Sequence, residues 1–179
     1  MIIFVGVAGS GKSIQGRLLA QKTGAVYFSM GEFLRDHVDS VIQKKMLTGV
    51  LISDEEAIKA VDGEFPKVNS GGTEYILDGF PRTTEQANWL IGEIERGRFV
   101  VTAVIHLKAS AEVIVPRLLE RSRPDDYMDA INQRISEYNN TIIPILDRFK
   151  QDNVTVFDIN AEQPIDDVHK EILNKLGLE

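Results

Sequence analysis

One segment near the start of the chain constrains its fold more than any other. Ile2–Val7 is apolar, β-branched and aromatic, the pattern of a strand buried on both faces. Lys12–Lys22 carries Ile14, Leu18 and Leu19 on a helical pattern and stops at Thr23-Gly24. Between them lies Gly6-Val7-Ala8-Gly9-Ser10-Gly11-Lys12-Ser13, which fits G-x-x-x-x-G-K-[ST] at every fixed position. Glycines there let successive N–H groups turn inward at the positive end of a helix, a nest for phosphate oxygens. The spacing sends Lys12 to the terminal phosphates and the Ser13 hydroxyl to a Mg²⁺ ion. Such a loop identifies a bound nucleotide phosphate but not the acceptor.

Strand patterns recur at residues 25–28, 74–77, 100–107 and 154–159. Helical patterns occupy 12–22, 83–95, 109–121, 125–149 and 164–176, with a kink or restart expected at Pro144. Residues 31–61 read as helical but broken at Gly49 and Ser53, and 68–72 as a polar loop. Alternation of this kind predicts an α/β fold of three layers, a five-stranded parallel sheet flanked by helices. The 179 residues make one domain, with core segments 1–29, 63–120 and 127–179. Residues 30–62 and 121–126 fit least well and read as insertions at the open edge where ligands bind.

Composition narrows the partners. A net charge of −7 argues against binding nucleic acid through a basic surface, and no apolar run approaches a membrane span. The chain has no cysteine and three scattered histidines, so a thiol nucleophile and a zinc site are excluded. The start has no basic segment ahead of an apolar one, so a cytoplasmic, monomeric protein is the expectation.

Ile76-Leu77-Asp78-Gly79-Phe80-Pro81-Arg82 places an acid at the end of a buried strand, where it would face the Mg²⁺ through water. Here the residues carry a resemblance. The loop GVAGSGKSIQ, the segment Phe28–Arg35, the run Leu77–Ala87 (LDGFPRTTEQA) and the arginines from Arg117 to Arg134 resemble, in order, the motifs of the adenylate kinases. That resemblance implies a P-loop fold with a small monophosphate-binding insertion and a very short lid. It implies transfer of the γ-phosphoryl group of Mg-ATP to AMP. It puts Gly9, Ser10, Gly11, Lys12, Ser13, Ile14, Arg117 and Arg121 on ATP. It puts Met30, Gly31, Arg35, Gly79, Phe80, Arg82, Gln86, Arg123 and Arg134 on AMP, with Gln86 reading the adenine. Lys12, Arg82, Arg117, Arg123 and Arg134 would act on the moving phosphoryl group, and Ser13 and Asp78, the latter through water, on the metal.

The chain departs from the family in places. Ser13-Ile14 replaces Gly-Thr, Ala8 replaces Pro, Met30 replaces a threonine beside the acceptor base, and the acceptor segment and lid are shortened. Met30 keeps a UMP or CMP kinase open as an alternative, and the trimmed lid keeps open a weakened nucleotide-binding regulatory module. A short lid also implies loose closure and some ATP hydrolysis. Other features read as structural. His106 is expected to be a satisfied buried histidine, Trp89 and Leu90 core, and Ser53–Glu56 a solvated helix start. Asp125 and Asp126 are expected both to cap the next helix and to clasp the lid.

Overall fold

The computed structural model describes residues 1–37, 53–68 and 74–179. The expected breaks and loop at Gly49 and 69–72 lie outside the described residues, as do the side chains of Arg35, His37 and 65–68.

Five parallel strands form one sheet: β1 (Ile2–Gly6), β2 (Val26–Ser29), β3 (Tyr75–Asp78), β4 (Ala103–Lys108) and β5 (Val156–Asn160). Their spatial order is β2-β3-β1-β4-β5. Central β1 therefore pairs with β3 on one side and β4 on the other, and the crevice beyond its carboxyl end is the switch point where such folds bind ligands. Ile3, Ile76, Leu77, Val104, Ile105 and Leu107 have no exposed surface, as strands covered on both faces require.

The described helices are α1 (Lys12–Thr23), α2 (Met30–His37), α3 (Asp54–Val68), α4 (Thr84–Glu95), α5 (Ala111–Arg121), α6 (Met128–Glu137), α7 (Ile143–Gln151) and α8 (Ile165–Leu176). One core unites β1 and β3 with residues of α2, α3, α4 and α7, among them Leu77, Phe80, Leu90, Phe99 and Phe149. On the opposite face Phe4, Ile76, Ile105 and Ile159 pack with Leu19 of α1 and Val168 and Ile172 of α8. This is the three-layer arrangement that the alternating pattern predicts.

Local differences have identifiable causes. The kink expected near Pro144 appears as a π-helical segment, Tyr138–Ile142, between α6 and α7. Proline supplies no N–H to the helical ladder, and a wider turn just before it absorbs the break. The fourth strand begins at Ala103 rather than Val100, since Val100 is 77% exposed and its carbonyl accepts from the chain's amino terminus. The last helix starts at Ile165, with Pro164 as its N-cap. Leu90 is fully buried and Trp89 packs half-buried beside it. His106 is buried, with Nδ1 2.7 Å from Asp158 and Nε2 2.5 Å from the Tyr138 hydroxyl, so both ring nitrogens are satisfied.

Candidate active site

The phosphate loop joins β1 to α1 at the switch point. Gly9 and Gly11 adopt φ of 84° and 94°, a left-handed conformation that disfavours a side chain. Gly11 is the N-cap of α1 and offers no side chain to its first amides, which stay available to an anion. Lys12 folds back over its own loop, donating to the carbonyls of Gly6 at 2.7 Å and Val7 at 2.9 Å. Burial, helped by the positive fields of Arg82 and Arg121 and opposed by Asp78, lowers its ammonium to about 8.

Asp78 ends β3 opposite Phe4 of β1 and Ser29 of β2, and is 3% exposed. The Ser13 hydroxyl donates to its Oδ2 at 2.6 Å, which leaves the serine lone pairs for a cation. The Tyr27 hydroxyl donates to the same oxygen at 2.8 Å. Hydroxyl and carboxylate oxygens are hard donors of the type Mg²⁺ takes, and Mg²⁺ needs few of them beside phosphate and water. The residues present thus fit the ion that the loop implies. No cluster of three or more His, Cys, Asp or Glu that could cage a metal occurs among the described residues.

A second cluster is built at the start of α4. The Phe80-Pro81 bond is cis, and Phe80 is buried. Arg82 Nε donates to the Gly79 carbonyl at 2.7 Å. Gln86, 2% exposed, accepts from the Arg82 N–H through Oε1 at 2.8 Å. Its Nε2 donates to Asp54 Oδ1 at 2.9 Å. A donor on one end and an acceptor on the other fix which way the amide points. Asp54 also accepts from the Thr83 hydroxyl at 2.6 Å. The acidic helix start at residue 54 is thus a half-buried tie between α3 and α4, not only a solvated face. Met30 and Gly31 open α2, with Met30 buried in the core. Arg35 belongs to the same helix, and its side chain lies outside the described set.

Four of the arginines lie between α5 and α6. Arg117 Nη1 donates to the Ala161 carbonyl at 2.8 Å, at the loop after β5. Arg121 grips Asp126 with two bonds, Nε to Oδ2 at 2.8 Å and Nη2 to Oδ1 at 2.7 Å. Arg134 reaches Asp126 Oδ1 at 3.3 Å and also bonds Asp125, while the Arg123 N–H donates to Asp126 at 3.1 Å. Burial would raise the Asp126 carboxyl, but the bonds from Arg121 and the Arg123 N–H and the field of Arg134 outweigh it and hold it below the usual carboxylate range. The N-cap of α6 is Tyr127, with no side-chain cap bond, so the two aspartates clasp arginines and do not cap the helix. A carboxylate ringed by guanidiniums satisfies more charge there than it would at a helix end.

Sequence reasoning missed Tyr27 and the ties of Asp54. Neither sits in a motif, and each becomes visible only once β2 lies beside β3 and α3 beside α4.

A glycine-rich loop between strand and helix at the switch point of a parallel sheet, its serine bonded to a buried carboxylate, defines a P-loop nucleotide-binding protein. Comparison with known proteins specifies the family. Residues 4–154 match the family described as Adenylate kinase. The chain is 34% identical to adenylate kinases of Prochlorococcus marinus (strains NATL2A and NATL1A), over 98% of each chain. It is 26% identical to that of Corynebacterium glutamicum (strain R), again over 98% of each. The chain belongs to the adenylate kinase family. No described helix is long and apolar enough to cross a membrane.

Proposed function

We propose that this enzyme transfers the γ-phosphoryl group of Mg-ATP to AMP, giving two ADP. The observation that carries the reading is the glycine loop at the switch point, with Lys12 folded over it and its Ser13 hydroxyl bonded to the buried Asp78. Two polyanions brought end to end repel each other, and a protein at −7 overall must concentrate cations where they meet.

The loop amides and Ser10–Ser13 bind the donor phosphates, with Ile14 beside them. Lys12 exchanges its two carbonyl partners for phosphate oxygens. Ser13 and, through water, Asp78 would hold the Mg²⁺, which when bound supplies positive charge to the developing transition state. Arg117 borders the donor at the loop after β5, where backbone near Asn160–Gln163 would face its base. Arg35 and Arg82, with Gly79 and Phe80 shaping the turn, take the acceptor phosphate. Arg121 and Arg134 leave the aspartates for phosphate as the site closes, and the Arg123 side chain joins them there. Guanidinium suits both partners because its planar fork bonds two oxygens at once. No side chain needs to act as a general base in this scheme.

Gln86 supports adenine as the acceptor base. Its amide direction is fixed by Arg82 and Asp54, so the remaining lone pair and N–H would meet a base in a set order. Met30, packed in the core, contributes shape and no hydrogen bond.

A coupled assay for ADP from Mg-ATP with each of AMP, UMP, CMP and GMP tests this. AMP should exceed the others in kcat/KM by at least about tenfold. Equal rates, or a pyrimidine preference, would refute the adenine reading. The short lid adds an expected ATPase activity without acceptor, measured as phosphate release.

A further inference from the structure

We infer that Tyr27 is a positioning residue for the metal-directed carboxylate, and that Gly16 exists to admit its ring. The inference rests on the proposed role of Asp78 and extends it to residues outside every motif of the loop and the acceptor turn.

Three observations lead there. First, β2 pairs with β3 so that Tyr27 stands opposite Ile76 and Ser29 opposite Asp78. Alternation puts Tyr27 on the same sheet face as Ile76 and Asp78, the face that α1 covers. The phenol therefore runs along the strand and ends at Asp78 Oδ2, 2.8 Å away. Second, the ring is lodged against α1 where that helix lacks a side chain. A Cβ on Gly16 would stand 2.7 Å from Cε2 and 3.2 Å from Cδ2 of Tyr27. Such closeness requires the ring or the helix to shift. Ser13 and Gly16 are three residues apart and share a helix face, so one presents a hydroxyl to Asp78 and the other makes room for a second. Third, the guanidinium of Arg17 lies over the ring, with Cζ 4.7 Å from its centre. The ring is thus held by its neighbours at an edge and a face as well as by its hydroxyl.

The geometry has a chemical consequence. Both hydroxyl bonds fall on Oδ2, so the carboxylate cannot turn about χ2 without losing two donors. Oδ1 would then be the oxygen left for a metal-bound water. Burial and the field of Asp78 keep the phenol protonated, so it always donates here. A neutral donor fixes the carboxylate without cancelling the charge that an ion needs; an arginine in its place would fix the carboxylate but neutralise it.

The test is Tyr27→Phe in the full chain, with two readouts. Titration calorimetry of ATP, with excess Mg²⁺ and with EDTA, gives the factor by which the metal tightens ATP binding. Steady-state assays give kcat and the KM for AMP. We expect the metal factor and kcat to fall by about tenfold each, the lower end of the worth of one hydrogen bond to a charged group, with ATP affinity in EDTA and KM for AMP unchanged. Gly16→Ala, which displaces the ring, should lower the metal factor in the wild-type background. In the Tyr27→Phe background it should lower it no further, because the hydroxyl it would misplace is gone. A full metal factor in Tyr27→Phe would overturn the inference while leaving the role of Asp78 intact. Equal weakening of ATP in Mg²⁺ and EDTA would also overturn it, as a purely structural effect on the loop. Wild-type protein whose ATP affinity ignores Mg²⁺ would overturn both the inference and the metal reading beneath it.

Discussion

Asp78 and Asp126, two of the buried carboxylates among the described residues, have partners of opposite kinds. Asp78 is 3% exposed and Asp126 is 7% exposed. Asp78 is held by the hydroxyls of Ser13 and Tyr27, which are neutral. Asp126 is held by Arg121 and Arg134, which are cations. Hydroxyls fix a carboxylate and leave its negative charge available to an ion. Guanidiniums fix it and consume the charge, so the group becomes a structural clasp. Burial alone does not make a carboxylate functional; the charge of its partners decides.

The contrast breaks most sharply with asparagine at the first site. Asp78→Asn keeps an acceptor for both hydroxyls but loses the charge. Its kcat/KM should fall at least about 100-fold while Tm barely moves, checked by steady-state kinetics and thermal denaturation. A fall in Tm with near-normal rates would reverse the assignment.

Asp126→Ala should show the converse. Arg121 loses its partner and Arg134 keeps only Asp125, and stability should drop by about 3 kcal/mol, a Tm loss of about 6–12 °C for a chain of this size. The rate should fall far less than for Asp78→Asn. The pH sign is fixed by the depressed carboxyl. This contribution is complete above the unfolded carboxyl value, about 4, and is lost as pH falls through the lower folded value. Acid titration of stability should therefore be shallower in Asp126→Ala than in wild type.

A third carboxylate lies between these cases. Asp54 is half-buried and takes its bonds from a hydroxyl and an amide. Asp54→Ala frees the Gln86 amide to rotate, so the KM for AMP should rise about fivefold with kcat nearly unchanged. Discrimination against UMP and CMP should narrow by a similar factor in the same assay.

The smallest effect concerns the cation beside Asp78. With Lys12 at about 8, roughly half of it is neutral at that pH before ligand arrives. Phosphate favours the charged form, so binding of ATP at pH 8 should take up about half a proton, fading toward pH 6.5. Calorimetry in buffers of different ionisation enthalpy reads this uptake, and Lys12→Met should abolish it.

The alternating apolar runs determined the layers and the parallel sheet, because a strand covered on both faces and a helix with one apolar stripe leave few ways to pack. The glycine loop was readable because its chemistry is local: amides, lysine and serine follow one another along the chain. The arginines from Arg117 to Arg134 were readable as a crowd, but not their pairing, since a sequence does not say whether Asp126 caps a helix or faces a guanidinium. Tyr27, Gly16 and Asp54 were silent. Their roles come from strand register and helix contact, which join residues 51 apart for Tyr27 and Asp78 and 32 apart for Asp54 and Gln86. Local order along the chain carries the phosphate chemistry, and only the folded sheet decides which hydroxyl holds which acid, because hydrogen bonds act over about 3 Å of space whatever the distance along the chain.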